Sequence, residues 1–261
     1  MGKRLVLKNV SKQFKGLRAV QNFSAVFEDG KIYGLIGTNG AGKSTIINMI
    51  SGSCCPSEGE IYLDEKRIDC LPANLIARSG IARTFQNLRL FKKMTVLENV
   101  MAAAQKDQKY GLFSLFLNLK GYRQTEEKIK ADALRELKKM GIEKYKRQQA
   151  DSLAYGYQRR LEIARCLASK PEVLLLDEPA AGMNPSESAQ LVEDIKKINT
   201  ERNITIVLIE HDMKVVMKLC EYIYVMASGE IIAEGTPEEI RKNPKVIQAY
   251  LGGEEKHAGS I

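Results

Sequence analysis

Residues Gly37-Thr38-Asn39-Gly40-Ala41-Gly42-Lys43-Ser44-Thr45 follow the pattern G-x-x-x-x-G-K-[ST]. Glycines let backbone N–H groups converge on phosphate oxygens, and a helix starting just after them adds positive potential at its N-terminus. In such a loop Lys43 reaches the β- and γ-phosphates of a nucleotide, and the Ser44 hydroxyl coordinates Mg²⁺. With ordinary glycine and lysine usage, a chance match in a chain of this length is about one in a hundred. A second stretch, Val173-Leu174-Leu175-Leu176-Asp177-Glu178, runs apolar residues into two carboxylates. Asp177 can hold Mg²⁺ through water, and Glu178 can take a proton from the attacking water or orient it. Alone, such a stretch is often only a strand end. Paired with the glycine loop, it predicts hydrolysis of a nucleoside triphosphate.

These groups need a scaffold. The chain has 261 residues, which at about 150 residues per domain allows one or two domains. Hydrophobic residues make up 44% and charged residues 28%, an ordinary globular composition. No apolar run approaches the length of a membrane span. The basic N-terminus lacks the apolar stretch and cleavage site of a signal peptide, and Val6 breaks the myristoylation pattern. Five cysteines without C-x-x-C spacing argue against a disulfide framework or a zinc site. The net charge is +8, and residues 120–147 hold ten basic and five acidic residues. That stretch reads as a solvated helix face turned toward the inner membrane surface, although charge alone also fits nucleic acid.

Strands are expected at 3–10, 23–27, 31–37, 60–63, 173–177 and 204–210, with a hairpin at 221–226 and 230–233 about Ser228-Gly229. Helices are expected at Lys43–Ile50, across much of 88–140 with Gly141 as cap, and at 158–168 and 186–201. Thr236-Pro237-Glu238-Glu239 is a capping box that starts a last helix; past Gly252-Gly253 a loose tail is expected. Within 110–119, Leu112, Phe113, Leu115, Phe116, Leu117 and Leu119 read as helical core, with docking on a membrane subunit as the minority reading. The outline is α/β: a phosphate-loop NTPase core with a RecA-like parallel sheet, an N-terminal antiparallel β subdomain and an inserted helical subdomain. The expected domain is single, 1–261, with 88–158 inserted between 1–87 and 159–261.

Leu153-Ala154-Tyr155-Gly156-Tyr157-Gln158-Arg159-Arg160-Leu161-Glu162-Ile163-Ala164-Arg165 resembles the signature motif and following helix of ABC-type ATPases. Gln86, in Arg83-Thr84-Phe85-Gln86, sits at the family's Q-loop. His211, in Glu210-His211-Asp212, matches the switch histidine, and Ala181-Gly182-Met183-Asn184 falls in the D-loop. Phe14 matches the aromatic that stacks on adenine, although it could equally be a core aromatic. The motifs cover nearly the whole chain. Arg83 through Phe91, Met94 through Val100, Glu178-Pro179-Ala180-Ala181-Gly182-Met183-Asn184-Pro185 and Ala249-Tyr250-Leu251-Gly252 look like the ATP-binding subunit of branched-chain amino-acid importers. Urea/amide-type and lipopolysaccharide-exporter relatives usually read differently in the signature.

The resemblance implies ATP and Mg²⁺ as cofactors and composite sites in a head-to-tail pair, with a copy of itself or a second ABC ATPase. Phe14 and residues 37–45 would bind nucleotide. Ser44, Gln86 and Asp177 would organise the metal, and Glu178, Gln86 and His211 would serve catalysis. Leu153, Ala154, Tyr155, Gly156 and Tyr157 would face the opposite subunit's nucleotide. Two separate permease subunits, and indirectly an extracytoplasmic solute-binding protein, would complete the importer at the cytoplasmic face of the membrane. Nucleic acid is not expected. The rival readings are another small solute such as urea or amides, a non-transport ABC ATPase, and a catalytically silent regulator. Ala154 stands where the family has serine, which removes one hydroxyl donor worth about 1 kcal/mol. Asn184 stands for the usual aspartate. Tyr157 stands for the usual glutamine, and nothing in the sequence explains it.

Overall fold

A computed structural model describes residues 3–104 and 119–255. The chain divides into two compact units. The first comprises Met1–Arg83, Glu172–Pro179 and Ile195–Ile261; the second comprises Thr84–Pro171 and Ala180–Asp194.

The first unit holds two sheets. One is antiparallel, in the order β2 (Leu17–Phe27), β1 (Leu5–Phe14), β4 (Glu58–Leu63), β5 (Lys66–Arg67). The other runs β10 (Glu230–Gly235), β9 (Tyr222–Ala227), β3 (Ile32–Gly37), β8 (Thr205–Ile209), β7 (Val173–Asp177), β6 (Ile81–Arg83). Its strands are parallel except β10, which closes the predicted hairpin with β9. Every residue of β3, β7 and β8 is buried, as expected for parallel strands covered on both faces. Strands β1 and β2 outrun their sequence patterns. Asn9 and Asn22 sit at positive φ beside register shifts, and such irregularities reset the two-residue alternation on which the reading depends. Phe27 packs edge-on against Tyr33 and Tyr224 at 5.1 and 5.4 Å. The Tyr224 hydroxyl donates to the Val26 carbonyl and accepts from its amide.

Four short helices belong wholly to this unit: α1 (Lys43–Ile50), α2 (Ala73–Arg78), α7 (Met213–Leu219) and α8 (Pro237–Lys242). The last helix of the unit is α9 (Pro244–Glu255). Neither α2 nor α7 is long enough to show a period, so the pattern missed them. The single C-terminal helix expected after Thr236 is instead two helices, since Pro244 has no N–H to continue α8. The backbone stays helical through Gly252-Gly253 to Glu255, and the rest of the loose tail expected there lies outside the described residues.

The second unit packs α3 (Val96–Ala104), α4 (Leu119–Lys139) and α5 (Tyr155–Ala168) against one another. Ile129, Ala133, Leu137 and Met140 are buried, the face expected from their spacing. Residues 88–95, expected as helix, are loop. The buried Asn99 amide holds them there, donating to the Phe91, Met94 and Thr95 carbonyls and accepting from the Phe91 amide. Residues 185–194 of α6 (Pro185–Arg202) lie in this unit and the rest in the first. Apart from the backbone of Leu119, the apolar stretch 110–119 lies outside the described residues.

Candidate active site

In the first unit the glycine loop joins β3 to α1, where residues 37–45 were expected to bind phosphate. The Ala41 amide donates to the Thr38 carbonyl at 3.1 Å, and the Gly229 amide donates to the Ala41 carbonyl at 3.1 Å. Gly42, the cap of α1, has φ +101, and a Cβ there would stand 2.5 Å from the Ala19 carbonyl oxygen. Only glycine fits. No side chain caps the helix, so its first amides remain to serve a ligand. Lys43 is buried, and its ammonium donates to the Gly37 and Thr38 carbonyls at 2.7 and 2.9 Å. Burial lowers its pKa, while Glu178 and Asp177 pull the other way. Asn39, Gly40 and Ser44 are exposed.

Asp177 ends β7 in a buried position. The next residue, Glu178, has φ +50, in the left-handed region that costs a non-glycine residue of order 1 kcal/mol or more. Its amide donates to the Ile209 carbonyl at 2.9 Å, which fixes the turn. The turn aims the carboxylate at His211, whose Nε2 lies 2.9 Å from Glu178 Oε1. The structure thus brings together the loop lysine, both carboxylates and the histidine. Phe14 is 44% exposed at the end of β1, with the Lys12 ammonium 5.0 Å from its ring centre. The core alternative for it is therefore excluded.

Two participants escaped the sequence. Arg83, at the end of β6, donates to Asp177 Oδ2 at 3.0 Å and to Asn48 Oδ1 and Ser51 Oγ of the α1 region at 2.6 and 3.0 Å. No local pattern signals a bond across 94 positions. Tyr250 of α9 hydrogen-bonds the backbone at Gly37, the first residue of the loop, and burial raises its phenol pKa.

In the second unit Ala154 is the cap residue of α5 and provides no side-chain bond. Tyr155 is half-exposed. Its ring lies 3.0 Å from where a Cβ on Gly182 would stand, so signature and D-loop touch. Tyr157 packs on Tyr145, ring centres 4.8 Å apart and phenols hydrogen-bonded, which accounts for the aromatic at this position. Asn184 Oδ1 accepts the Glu187 amide at 2.9 Å and Glu187 accepts the Asn184 amide at 3.1 Å. Asparagine caps a helix as well as aspartate does, so the departure keeps the turn. Gln86 is exposed, and its loop backbone is held by α5, described further below.

Residues 20–181 match the ABC transporter family. Residues 230–256 match the family described as branched-chain amino acid ATP-binding cassette transporter. The chain is 47% identical over 248 residues to the high-affinity branched-chain amino acid transport ATP-binding protein LivG of Salmonella typhimurium, covering 95% of this chain and 97% of that one. The fold superposes with TM-score 0.83 and 31% identity on the crystal structure of an ATP-binding cassette of an ABC transporter in its ADP conformation, covering 97% of this chain and 100% of that one. A dimeric bacterial ABC transporter cassette gives 0.78 and 27%, covering 89% and 98%.

Proposed function

The chain belongs to the ABC transporter family of ATPases, and from that premise we propose that it powers import of branched-chain amino acids through separate membrane permeases. The observation that carries the solute class is the C-terminal stretch 230–256, which matches the branched-chain type within an alignment spanning nearly the whole chain. Among the described residues no helix is long and apolar enough to cross a membrane. In this reading the pore belongs to other chains, with this subunit at the cytoplasmic face.

In the proposed reaction the ATP phosphates lie on the amides of the loop and of the uncapped start of α1. Lys43 turns from the Gly37 and Thr38 carbonyls to the β- and γ-phosphates. The Ser44 hydroxyl and the Asp177 carboxylate would hold Mg²⁺, as the hard oxygen donors that it prefers. The ion, when bound, neutralises charge on the β- and γ-oxygens. Arg83 keeps Asp177 aimed. Glu178 accepts a proton from water as the water oxygen bonds to the γ-phosphorus and the bond to the β,γ-bridging oxygen breaks. His211, already hydrogen-bonded to Glu178, steadies that carboxylate and reaches toward the γ-phosphate. Phe14, exposed at the end of β1, takes the adenine face.

The signature is proposed to serve a partner's nucleotide. A Cβ on Gly156 would meet nothing closer than the Glu187 carboxyl at 3.5 Å, an ordinary contact. The chain's own fold therefore does not demand glycine there. Close approach of a phosphate from outside would. The partner is a second copy or a second ABC ATPase, with two permeases and, indirectly, a solute-binding protein.

The test is reconstitution with candidate permeases and a candidate solute-binding protein from the same organism. ATP-dependent uptake of labelled leucine supports the reading. Uptake of urea or an amide in preference to leucine, or ATP hydrolysis indifferent to the permeases, would overturn it.

A further inference from the structure

Three side chains of α5 converge on the backbone of the Gln86 loop. The Arg159 guanidinium donates to the Phe85 carbonyl at 2.6 Å and also to the Gln86 carbonyl. Glu162 accepts the Phe85 amide at 3.1 Å and the Arg89 amide. Arg165 donates to the Arg89 carbonyl. The peptide groups flanking Phe85 are thus held from both sides, one by a carboxylate and one by a guanidinium.

Arg159 and Glu162 are themselves paired at 3.2 Å and are 2% and 3% exposed. A buried ion pair adds little to stability over well-packed apolar residues, because desolvation offsets the attraction. Here each ion also satisfies loop backbone groups, which apolar residues could not do. Burial raises the Glu162 pKa, while the Phe85 amide and Arg159 oppose it.

The guanidinium has one more partner. Its Nε and Nη2 donate to the Tyr155 hydroxyl at 3.1 and 2.8 Å. Tyr155 stands at the start of α5 in the signature, against Gly182 of the D-loop. A single side chain therefore ties the signature to the carbonyls of Phe85 and Gln86.

We propose that Arg159 and Glu162 are positioning residues for the Gln86 loop, and that the Tyr155 hydroxyl makes the setting of that loop depend on the signature turn. The functional half rests on the ATPase reading above. An ATP phosphate that displaces Tyr155 then displaces the Arg159 fork and the Gln86 backbone with it. The peptide planes of the loop answer to α5. Lysine cannot replace Arg159, because a point charge cannot hold two successive carbonyls and a phenol in one plane.

Hydrogen exchange on the full chain without nucleotide tests the clamp. Arg159→Lys should speed exchange of the amides at 85–89 about tenfold or more, with the β3, β7 and β8 amides unchanged. Tyr155→Phe, which keeps the ring, should speed it several-fold and carries the decision if Arg159→Lys misfolds. Unchanged exchange at 85–89 in a folded variant overturns the clamp. A double-mutant cycle on ATP turnover tests the route. Arg159→Lys should lower kcat about tenfold in the wild-type background and have no further effect in Gln86→Ala. Additive losses would overturn action through Gln86. A wild-type complex that hydrolyses no ATP would overturn the ATPase reading instead, leaving the exchange result to decide the clamp.

Discussion

Removing the Lys43 ammonium takes a donor from the loop carbonyls and from the proposed phosphate ligand. In the nucleotide-free chain its burial cost and its bonds to Gly37 and Thr38 leave together, so Lys43→Ala should change Tm little. Bound phosphate loses a charge-assisted donor, so MgATP affinity should fall about 10- to 100-fold; titration calorimetry with MgATP decides. Glu178→Gln keeps the shape of the side chain and removes the proposed base. Binding should persist while turnover falls about 10²- to 10⁴-fold, read by steady-state hydrolysis beside calorimetry. Near wild-type turnover would remove Glu178 from the mechanism. At the uncapped start of α5, Ala154→Ser supplies an acceptor for the first-turn amides, a gain of about 1 kcal/mol. That should raise Tm by about 2–4 °C. At this scale the sequence was most legible where residue type and spacing alone define the chemistry: Lys43, Asp177, Glu178. It was silent on Arg83, Arg159 and Tyr250, which act through partners far along the chain.

Helix starts were readable because their chemistry is local. The Thr236–Glu239 capping box is present in full, and Thr95 and Glu98 form the same arrangement at the head of α3, directly after the Gln86 loop. The Thr95 amide, then its hydroxyl, hold the Glu98 pKa below the ordinary glutamate value of 4.5. The sign follows from that direction. A carboxyl depressed in the folded state adds stability above 4.5 and gives it up as pH falls through the folded value. Protection of the 96–99 amides, taken against intrinsic exchange at each pH, should therefore fall below pH 4.5, and Glu98→Gln should flatten that acid limb. Equal acid sensitivity in both proteins would count against the box as its source. Elements that depend on distant partners were not legible. The loop 88–95 looks helical by composition and is held open by one buried amide, Asn99. The bulged strands β1 and β2 lost their alternation to asparagines at positive φ.

The whole molecule's two-unit division sets what each half can do alone. The first unit holds the phosphate loop, the carboxylates and the histidine; the second holds the signature. Gly156→Asp should leave nucleotide binding by the single chain intact, because that glycine belongs to the second unit. Its new carboxylate would lie beside Glu187 and face the partner's phosphate, so ATP-driven pairing in the Glu178→Gln background should fail. Size-exclusion chromatography with ATP reads this directly, and a variant that still pairs and, with Glu178 restored, still hydrolyses ATP would end the composite-site reading. The family and the sheet core were legible because several motifs span the chain in order, whereas the borders of the units were not, since 180–194 joins the second unit across a long gap in sequence. The left-handed backbone at Glu178 also bears on how this protein can be improved. A library screened for heat resistance alone should recover Glu178→Gly and Glu178→Asn, which relax φ +50 at the carboxylate proposed to take the proton. Each should gain about 1 kcal/mol while losing turnover, so a screen blind to activity would enrich inert proteins.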